Sequence, residues 1–583
     1  MKKNKYILYL MATLVMGFIS CDFDELPPDK IEKGKFFSTA NASSLEQYCN
    51  WFYEKMITGH GNPQDYTMGG MLNLDADADQ MLTWEKNDIA FGHHVAPTDK
   101  KDTPWDWEVV RACNDFIQNY DKSPETDAIK KKYLGEVLFF KSWEYFNKVR
   151  TYGDVPWYET VLEPGSEELY KARDSRTLVM DNVLRDIDLA ISYLPGKTKV
   201  SRVSKDAAIA LKARICLFEG SYRRYHGIEG DVKFLEAAYA AAGELMKPEY
   251  GYKLFEGSKP SKSYYELFIQ SNYNNNKEVI LSKEYDPAIG KGNNVSRQMS
   301  RGETPIGMSR ECMENYLSID GKPYASSPLH SVGEGMIKEL NNRDPRLLQT
   351  VATPEPGEFT YLLKGNRPAI QKIVATKGNS GACSTGYSII KYYNEAEDVS
   401  EHHKGTVDAP VFRFAEILLI RAEAGAELGK DPELDKTVNA LRARVGFNVK
   451  LTSSPDADPR LVEQYPMIKG SNANLIREIR RERGVELFGE GVRRYDLMRW
   501  AAGHLLANKR HGMIIDPTLY TAEEVEELKK GFDVTDVTKP IDIYSARVAT
   551  APMFVTPKNY LFAIPLNEIA LNPKLAPQNP GWE

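Results

Sequence analysis

Cysteine is scarce in this chain: six occur in 583 residues, at positions 21, 49, 113, 216, 312 and 383. Spacings that wide suit neither a zinc knuckle nor a disulfide framework, and setting Cys21 aside leaves an odd number, best read as buried free thiols. Histidine is nearly as sparse, with nine residues. The adjacent pairs His93-His94 and His402-His403 point apart on a helix or a strand, so neither offers a two-ligand face, and both read as surface histidines. An excess of positive charge is also missing, because 75 Lys and Arg against 82 Asp and Glu leave a net charge of -7. Without a long-range positive field, no nucleic-acid partner is expected. No nucleophile elbow, phosphate-cradling Gly-rich loop or His-Glu-x-x-His helix occurs. The chain therefore gives no catalytic residue, no metal ligand set and no cofactor. What remains is ordinary for a folded protein, at 42% hydrophobic and 27% charged residues. Its length implies several domains or one repeat-built unit.

Long apolar runs are absent beyond the N-terminus. There, Lys2, Lys3 and Lys5 precede an apolar stretch from Tyr6 to Ile19, followed by Ser20 and Cys21. A run shorter than the ~20 residues of a spanning helix, ending in a small residue before cysteine, has the form of a secretory signal over 1–20. It resembles the bacterial lipobox, which implies that Cys21 is lipidated and becomes the first mature residue. Acyl chains anchor through buried methylenes worth ~0.8 kcal/mol each. Asp22, Asp24 and Glu25 before Pro27-Pro28 suggest a stiff polar tether over 21–32, similar to the acidic export tag of surface lipoproteins.

From 33 to 583 one mostly helical domain is expected, with its helical frame over about 105–250 and 411–510. Helical spacing of apolar residues marks 130–150, 178–195, 204–220 and 234–246, then 411–429, 434–446 and 475–500. Ser204 is placed as an N-cap, and Ala207, Ala208, Ala210 and Ala213 permit close approach of a neighbouring helix. Alanine-rich pairs joined by short turns suggest tetratricopeptide-like units stacked as an α-α superhelix, although no strict 34-residue register runs through them. The regions about 56–104 and 250–410, rich in Gly, Pro, Asn, Ser and Tyr, read as long loop-rich insertions with a few short strands. Loops on a rigid frame are where recognition residues concentrate.

The segment 475–500, LIREIRRERGVELFGEGVRRYDLMRW, holds seven arginines and five acids. As a helix to about 488, it places Glu478, Glu482 and Glu486 four apart, with Arg481 and Arg483 within a turn of them. Gly489 and Gly491 interrupt it, and Arg493, Asp496 and Arg499 follow on adjacent turns. Arginine forks among carboxylates indicate architecture rather than a phosphate-binding face.

The series Glu482, Arg483, Glu486, Leu487, Glu490, Gly491, Arg493, Asp496, Leu497, Arg499 and Trp500 strongly resembles the C-terminal signature of the SusD/RagB family of outer-membrane nutrient-binding lipoproteins. FNKVRTYGDVPWY (146–158), DPRLLQTV (344–351), FRFAEILLIRAEA (412–424) and LNPKLAPQNPGWE (571–583) extend the likeness over both halves. The resemblance implies four tetratricopeptide-like pairs and a position on the cell surface as the lid of a SusC-like TonB-dependent transporter. It also implies capture of oligosaccharides, or of peptides in some members, without catalysis. No binding motif of the family matches 250–410, so ligand identity does not carry over.

A glycan platform combines exposed rings with hydrogen-bonding neighbours. Tyr66, Trp84, Tyr273, Tyr324 and Tyr361, all in polar loop contexts, are the candidate ligand contacts. Trp105, Trp107, Trp143, Trp157 and Trp500 read as core. Asp75, Asp77 and Asp79 are spaced like the start of a calcium loop, but Gln80 stands at its glycine and Lys86 at its bidentate acid, which favours a solvated acidic loop. Rival readings are a peptide-binding adaptor working through the concave helical face and a glycan hydrolase, whose two carboxylates no spacing here picks out.

Overall fold

In the computed structural model, the residues described are 33–61, 70–82, 87–301, 306–331, 333–353, 383, 385–532, 534–543 and 551–583. Cys21, Tyr66, Trp84 and Tyr361 lie outside them. The helices that build the frame and the charged segment with its partners are α1 (Ala42–Met56), α2 (Gly70–Ala76), α3 (Glu108–Asn119), α4 (Asp127–Tyr152), α5 (Arg176–Tyr193), α6 (Lys205–His226), α7 (Asp231–Leu245), α8 (Phe414–Leu428), α9 (Val438–Arg444), α10 (Ala473–Glu486) and α11 (Arg493–Arg499). Local chemistry sets their ends. Ser204 accepts from the Ala207 N–H to start α6. Glycines at positive φ close α4 at Gly153 and α6 at Gly227.

Each long helix packs on the next: α4 on α5, α5 on α6, α6 on α7, α7 on α8, and α8 on α10. The short connection 227–230 makes α6 and α7 an antiparallel pair of the tetratricopeptide-like kind, whereas 153–175 and 194–204 link the earlier neighbours and the whole region 246–413 separates α7 from α8. The small-residue stripe of α6 permits this, with Ala207, Ala208, Ala210 and Ala213 all fully buried. Gly220 permits it further along, because a Cβ there would lie 2.8 Å from the backbone N of Leu235 in α7.

The strands are short antiparallel pairs: β1 (Met81–Leu82) with β3 (Gly307–Met308), β2 (Val279–Lys283) with β4 (Ala409–Arg413), and β5 (His511–Ile514) with β6 (Pro540–Asp542). The pair β2–β4, with Val279 opposite Arg413, joins the loop-rich region to the frame. Here the fold differs from the periodicity reading, because 411–413 is strand and α8 begins only at Phe414. Pairing with β2 holds these residues extended, Leu281 opposite Phe412 and Val279 opposite Arg413. The region 250–410 also contains short helices such as Pro260–Leu267 and Met336–Leu340 beside its loops.

Two apolar cores result. One fills the helical frame around Phe139, Tyr145, Ile187 and Leu211; the other lies under the loop-rich half around Tyr264, Phe268, Tyr316 and Tyr387. Trp105, Trp143, Trp157 and Trp500 are buried. Trp107 is only partly so, one face taken by Lys148 Nζ at 4.6 Å from the ring centre. The five cysteines after Cys21 are buried and free.

Because a side chain at Gly220 would run into α7 at Leu235, Gly220→Val should cost about 1–3 kcal/mol through overpacking, read as a lower urea midpoint at unchanged slope. An unchanged midpoint would show that the α6–α7 contact is looser than described.

Candidate functional site

The segment rich in arginine and acids forms α10 and α11, broken where Gly489 and Gly491 both take φ 75°. Every residue of α10 from Leu475 to Glu486 is buried. A helix wrapped on all sides cannot leave its charges to water, so each must find a partner among the surrounding elements. Glu486, fully buried, accepts from Arg413 Nη1 at 2.7 Å, Arg444 Nη2 at 2.8 Å and Arg346 Nη1 at 2.9 Å. Glu482 bonds Arg442 and Arg346, Arg483 bonds Asp496, and Arg499 bonds both Asp496 and Glu423. Glu490 takes Arg413 and Lys391.

The pairing expected within the helix is limited to Arg481 with Glu478. The other partners come from elsewhere in the chain, because side chains four apart on a fully buried helix face different neighbours. Against the upward push of burial, Arg499, Arg480 and Arg483 pull the Glu423 carboxyl down to about 2. Arg444, Arg413 and Arg346 hold Glu486 well below the usual carboxylate range. Burial pushes the Lys391 ammonium down to about 8 although Glu490 pulls it back.

The three aspartates at 75, 77 and 79 serve this framework. Asp79 receives Arg493 as a fork, Nε and Nη2 each at 2.8 Å. Asp77 accepts from the Asn87 amide at 2.7 Å. Asp75 is fully buried, accepts from the Arg493 N–H at 3.0 Å through Oδ1, and leaves Oδ2 without a partner. The reading of a solvated loop is thus corrected for Asp75. Carboxylates committed to three different partners do not converge on one ion, and among the described residues no group of His, Cys, Asp and Glu could hold a metal. Burial raises the Asp75 carboxyl to about 7 despite the N–H donors of Arg493 and Gly491.

Two of the candidate rings are corrected as well. Tyr273 is fully buried and its hydroxyl donates to the Leu267 carbonyl at 2.8 Å. Tyr324 is buried too, its ring under the Arg343 guanidinium at 4.6 Å and its hydroxyl on Glu334. Each packs its own loop and offers no face to a ligand. Of the histidines, His93 donates from Nε2 to the Ala551 carbonyl O at 2.9 Å. His94 is half-buried against Phe562 and Trp582 rather than free on the surface.

A groove of about 940 Å³ runs between α1, the 199–202 turn and the loop after β2. Its walls are ion pairs with spare hydrogen-bonding capacity: Lys199 with Glu284 at 2.9 Å, Lys291 with Glu54 at 2.7 Å, and Arg202 with the buried Glu136 at 2.6 Å. Asn50 accepts from Arg202, Lys283 Nζ donates to the Ile57 carbonyl at 2.9 Å, and Ile289 presents an exposed aliphatic face. One end is shaped by a glycine contact, since a Cβ on Gly70 would lie 2.1 Å from the Gly59 carbonyl O. Gly61 and Gly70, which line the groove, bracket the segment that contains Tyr66. Residues of α1 and the 199–202 turn were not singled out by sequence, because nothing in their local pattern separates a groove wall from any other solvated helix face.

Comparison with known proteins gives concordant likenesses. Residues 265–582 match the SusD family, and residues 29–217 match a SusD-like family described as starch-binding and associating with the outer membrane. The starch-binding protein SusD of Bacteroides thetaiotaomicron is 25% identical over 567 residues, covering 87% of this chain and 92% of that protein. A SusD-like protein of Formosa agariphila is 24% identical over 406 residues, covering 65% of this chain and 68% of that one. The crystal structure of a SusD-like carbohydrate binding protein from Bacteroides fragilis superposes with a TM-score of 0.72 at 22% identity, covering 93% of this chain and 100% of that one.

Asp75 gives this framework a pH dependence. Its folded value of about 7 lies above the ordinary 3.8, so its contribution is fully present below pH 3.8 and is lost as pH rises through 7. Asp75→Asn keeps the uncharged form at every pH. It should match the wild type near pH 4 and exceed it by on the order of 3 kcal/mol at pH 8 in urea titrations. An equal gap at both pH values would remove Asp75 as the cause.

Proposed function

This chain belongs to the SusD family, and on that premise we propose that it is a lipid-anchored protein of the outer membrane, facing the exterior, that captures an oligosaccharide and passes it to a SusC-like TonB-dependent transporter. The observation that carries this reading is the match of residues 29–217 to proteins described as starch-binding and associating with the outer membrane. The Bacteroides thetaiotaomicron relative is named for starch and the Bacteroides fragilis structure for carbohydrate. The chemistry of the groove supports the same reading. A sugar chain presents alternating hydroxyls and apolar C–H faces; Asn50, Lys199, Glu284 and Lys283 offer donors and acceptors for the first, while Ile289 and Tyr53 offer surface for the second. Tyr66, Trp84 and Tyr361 are the proposed stacking rings. The protein acts here as a binder rather than a catalyst and uses no cofactor. Cys21 is the proposed attachment point, and the helical frame is the proposed docking side for the transporter.

Affinity electrophoresis of the purified protein through gels containing neutral polysaccharides tests the reading. At least one glycan should retard it, and the Asn50→Ala, Lys199→Ala double variant should weaken that retardation about tenfold, the loss of one or two polar contacts. Retention by a peptide library with no glycan retarding the protein would instead favour the peptide-binding reading. Cys21→Ala should move the protein from the membrane to the soluble fraction without changing its thermal midpoint. Continued membrane retention would count against the lipid anchor.

A further inference from the structure

Behind the groove, on the other side of Ile57 and Thr58, lies a second cavity of about 550 Å³ between α3, α4, α6 and α11. Its wall carries six cations, and five of them have carboxylate partners within the chain. Lys55 bonds Glu108, Lys148 bonds Glu144, Arg214 bonds Glu416, Arg483 bonds Asp496, and Arg499 bonds Glu423. Arg150 is the exception: among the described residues no carboxylate or carbonyl accepts from it, and its Nε is buried without a partner. Its guanidinium carbon lies over the Tyr495 ring, 3.6 Å from the centre, with the Phe146 ring at 5.1 Å. Ring contacts occupy the faces of a guanidinium and leave the donors at its edge unused. One turn before it on the same helix, Asn147 Oδ1 is likewise buried and without a partner.

A cation held in a partly desolvated cavity, beside Arg214 and with no carboxylate of its own, costs stability that the fold elsewhere avoids by pairing. Burial lowers the affinity of this guanidinium for its proton and Arg214 adds to it, against the opposing pull of Tyr495 and Glu144. Such a group is best accounted for when its partner arrives from outside. The free edge of the fork matches a planar, two-oxygen acceptor. The apolar part of the lining, including Trp143, Leu217, Phe218 and Val411, would cover the body of a small molecule, and the carboxylates of Asp106 and Glu490 also face the cavity, Glu490 already taken by Arg413 and Lys391. The half-exposed pair Lys55 and Glu108 marks the way in from solvent.

We propose that this cavity is a binding site for a small carboxylate of sugar size, the chemistry of a uronic acid, with Arg150 as the carboxylate anchor. The site is separate from the groove and rests on Arg150 alone, whatever the groove binds.

The test is calorimetric titration and thermal melting of the purified protein with galacturonate, benzoate and galactose. Galacturonate should bind and raise the melting temperature while galactose does not. Arg150→Met should abolish that response, with an affinity loss of about tenfold or more. Arg150→Met should also melt higher than the wild type without ligand, because an unpaired cation has been removed. Asn147→Asp, which supplies a carboxylate one turn from Arg150, should raise the melting temperature and block galacturonate, and it decides the matter if Arg150→Met fails to fold. Binding of benzoate but not galacturonate would overturn the sugar assignment. Absence of binding by either acid, or equal binding of galacturonate and galactose, would overturn the site.

Discussion

The carboxylate of Glu486 is the point on which the two halves of the molecule depend. It sits at zero exposure and receives three arginines, Arg346 and Arg413 from the loop-rich region and its strand, and Arg444 from α9. An isolated charge at such a site would cost several kcal/mol, and only this number of donors makes it tolerable. The converse also holds. Three guanidiniums at one place would repel one another without the acid, so the cluster forms as a whole or not at all. Geometry of that kind contributes little net stability compared with an apolar core, and it fixes which elements meet and in what register.

That fixing matters because the chain has two apolar cores rather than one. Helix α10 lies on their seam: Leu475, Ile476 and Ile479 belong to the frame, while Val485 and Phe488, at its end, belong to the core under the loops. Hydrophobic burial is non-directional and would permit the halves to slide. The ion pairs around Glu482, Glu486 and Glu490 are directional and remove that freedom. Strand pair β2–β4 adds backbone hydrogen bonds at the same seam.

The concavities follow from this arrangement. The groove opens where α1 of the frame meets the loop after β2, and the Arg150 cavity lies just beneath it, with Ile57 and Thr58 lining both. Their chemistries differ. In the groove the charges are paired and half-exposed, suited to a neutral hydroxylated ligand in contact with water. In the cavity one cation is left without a counter-charge, which suits an anion.

The helices, the N-cap at Ser204, the small-residue stripe of α6 and the break at Gly489 and Gly491 were legible in the sequence, because each depends on residues within a few positions of one another. The same holds for the architectural character of 475–500, whose balanced charges exclude a phosphate-binding face whatever the fold. Partner choice was not legible. Sequence spacing suggested that Glu482 and Glu486 bond arginines a turn away, whereas burial of α10 on every side sends them to Arg346, Arg413, Arg442 and Arg444. Tyr273 and Tyr324 sit in polar loops and still turn their rings inward, since the loop-rich half needs them to fill its own core. Local pattern determined the elements. Tertiary structure alone decided which charges are satisfied, which rings are covered and that Arg150 is left over, because desolvation depends on what packs around a residue and not on its neighbours in the chain.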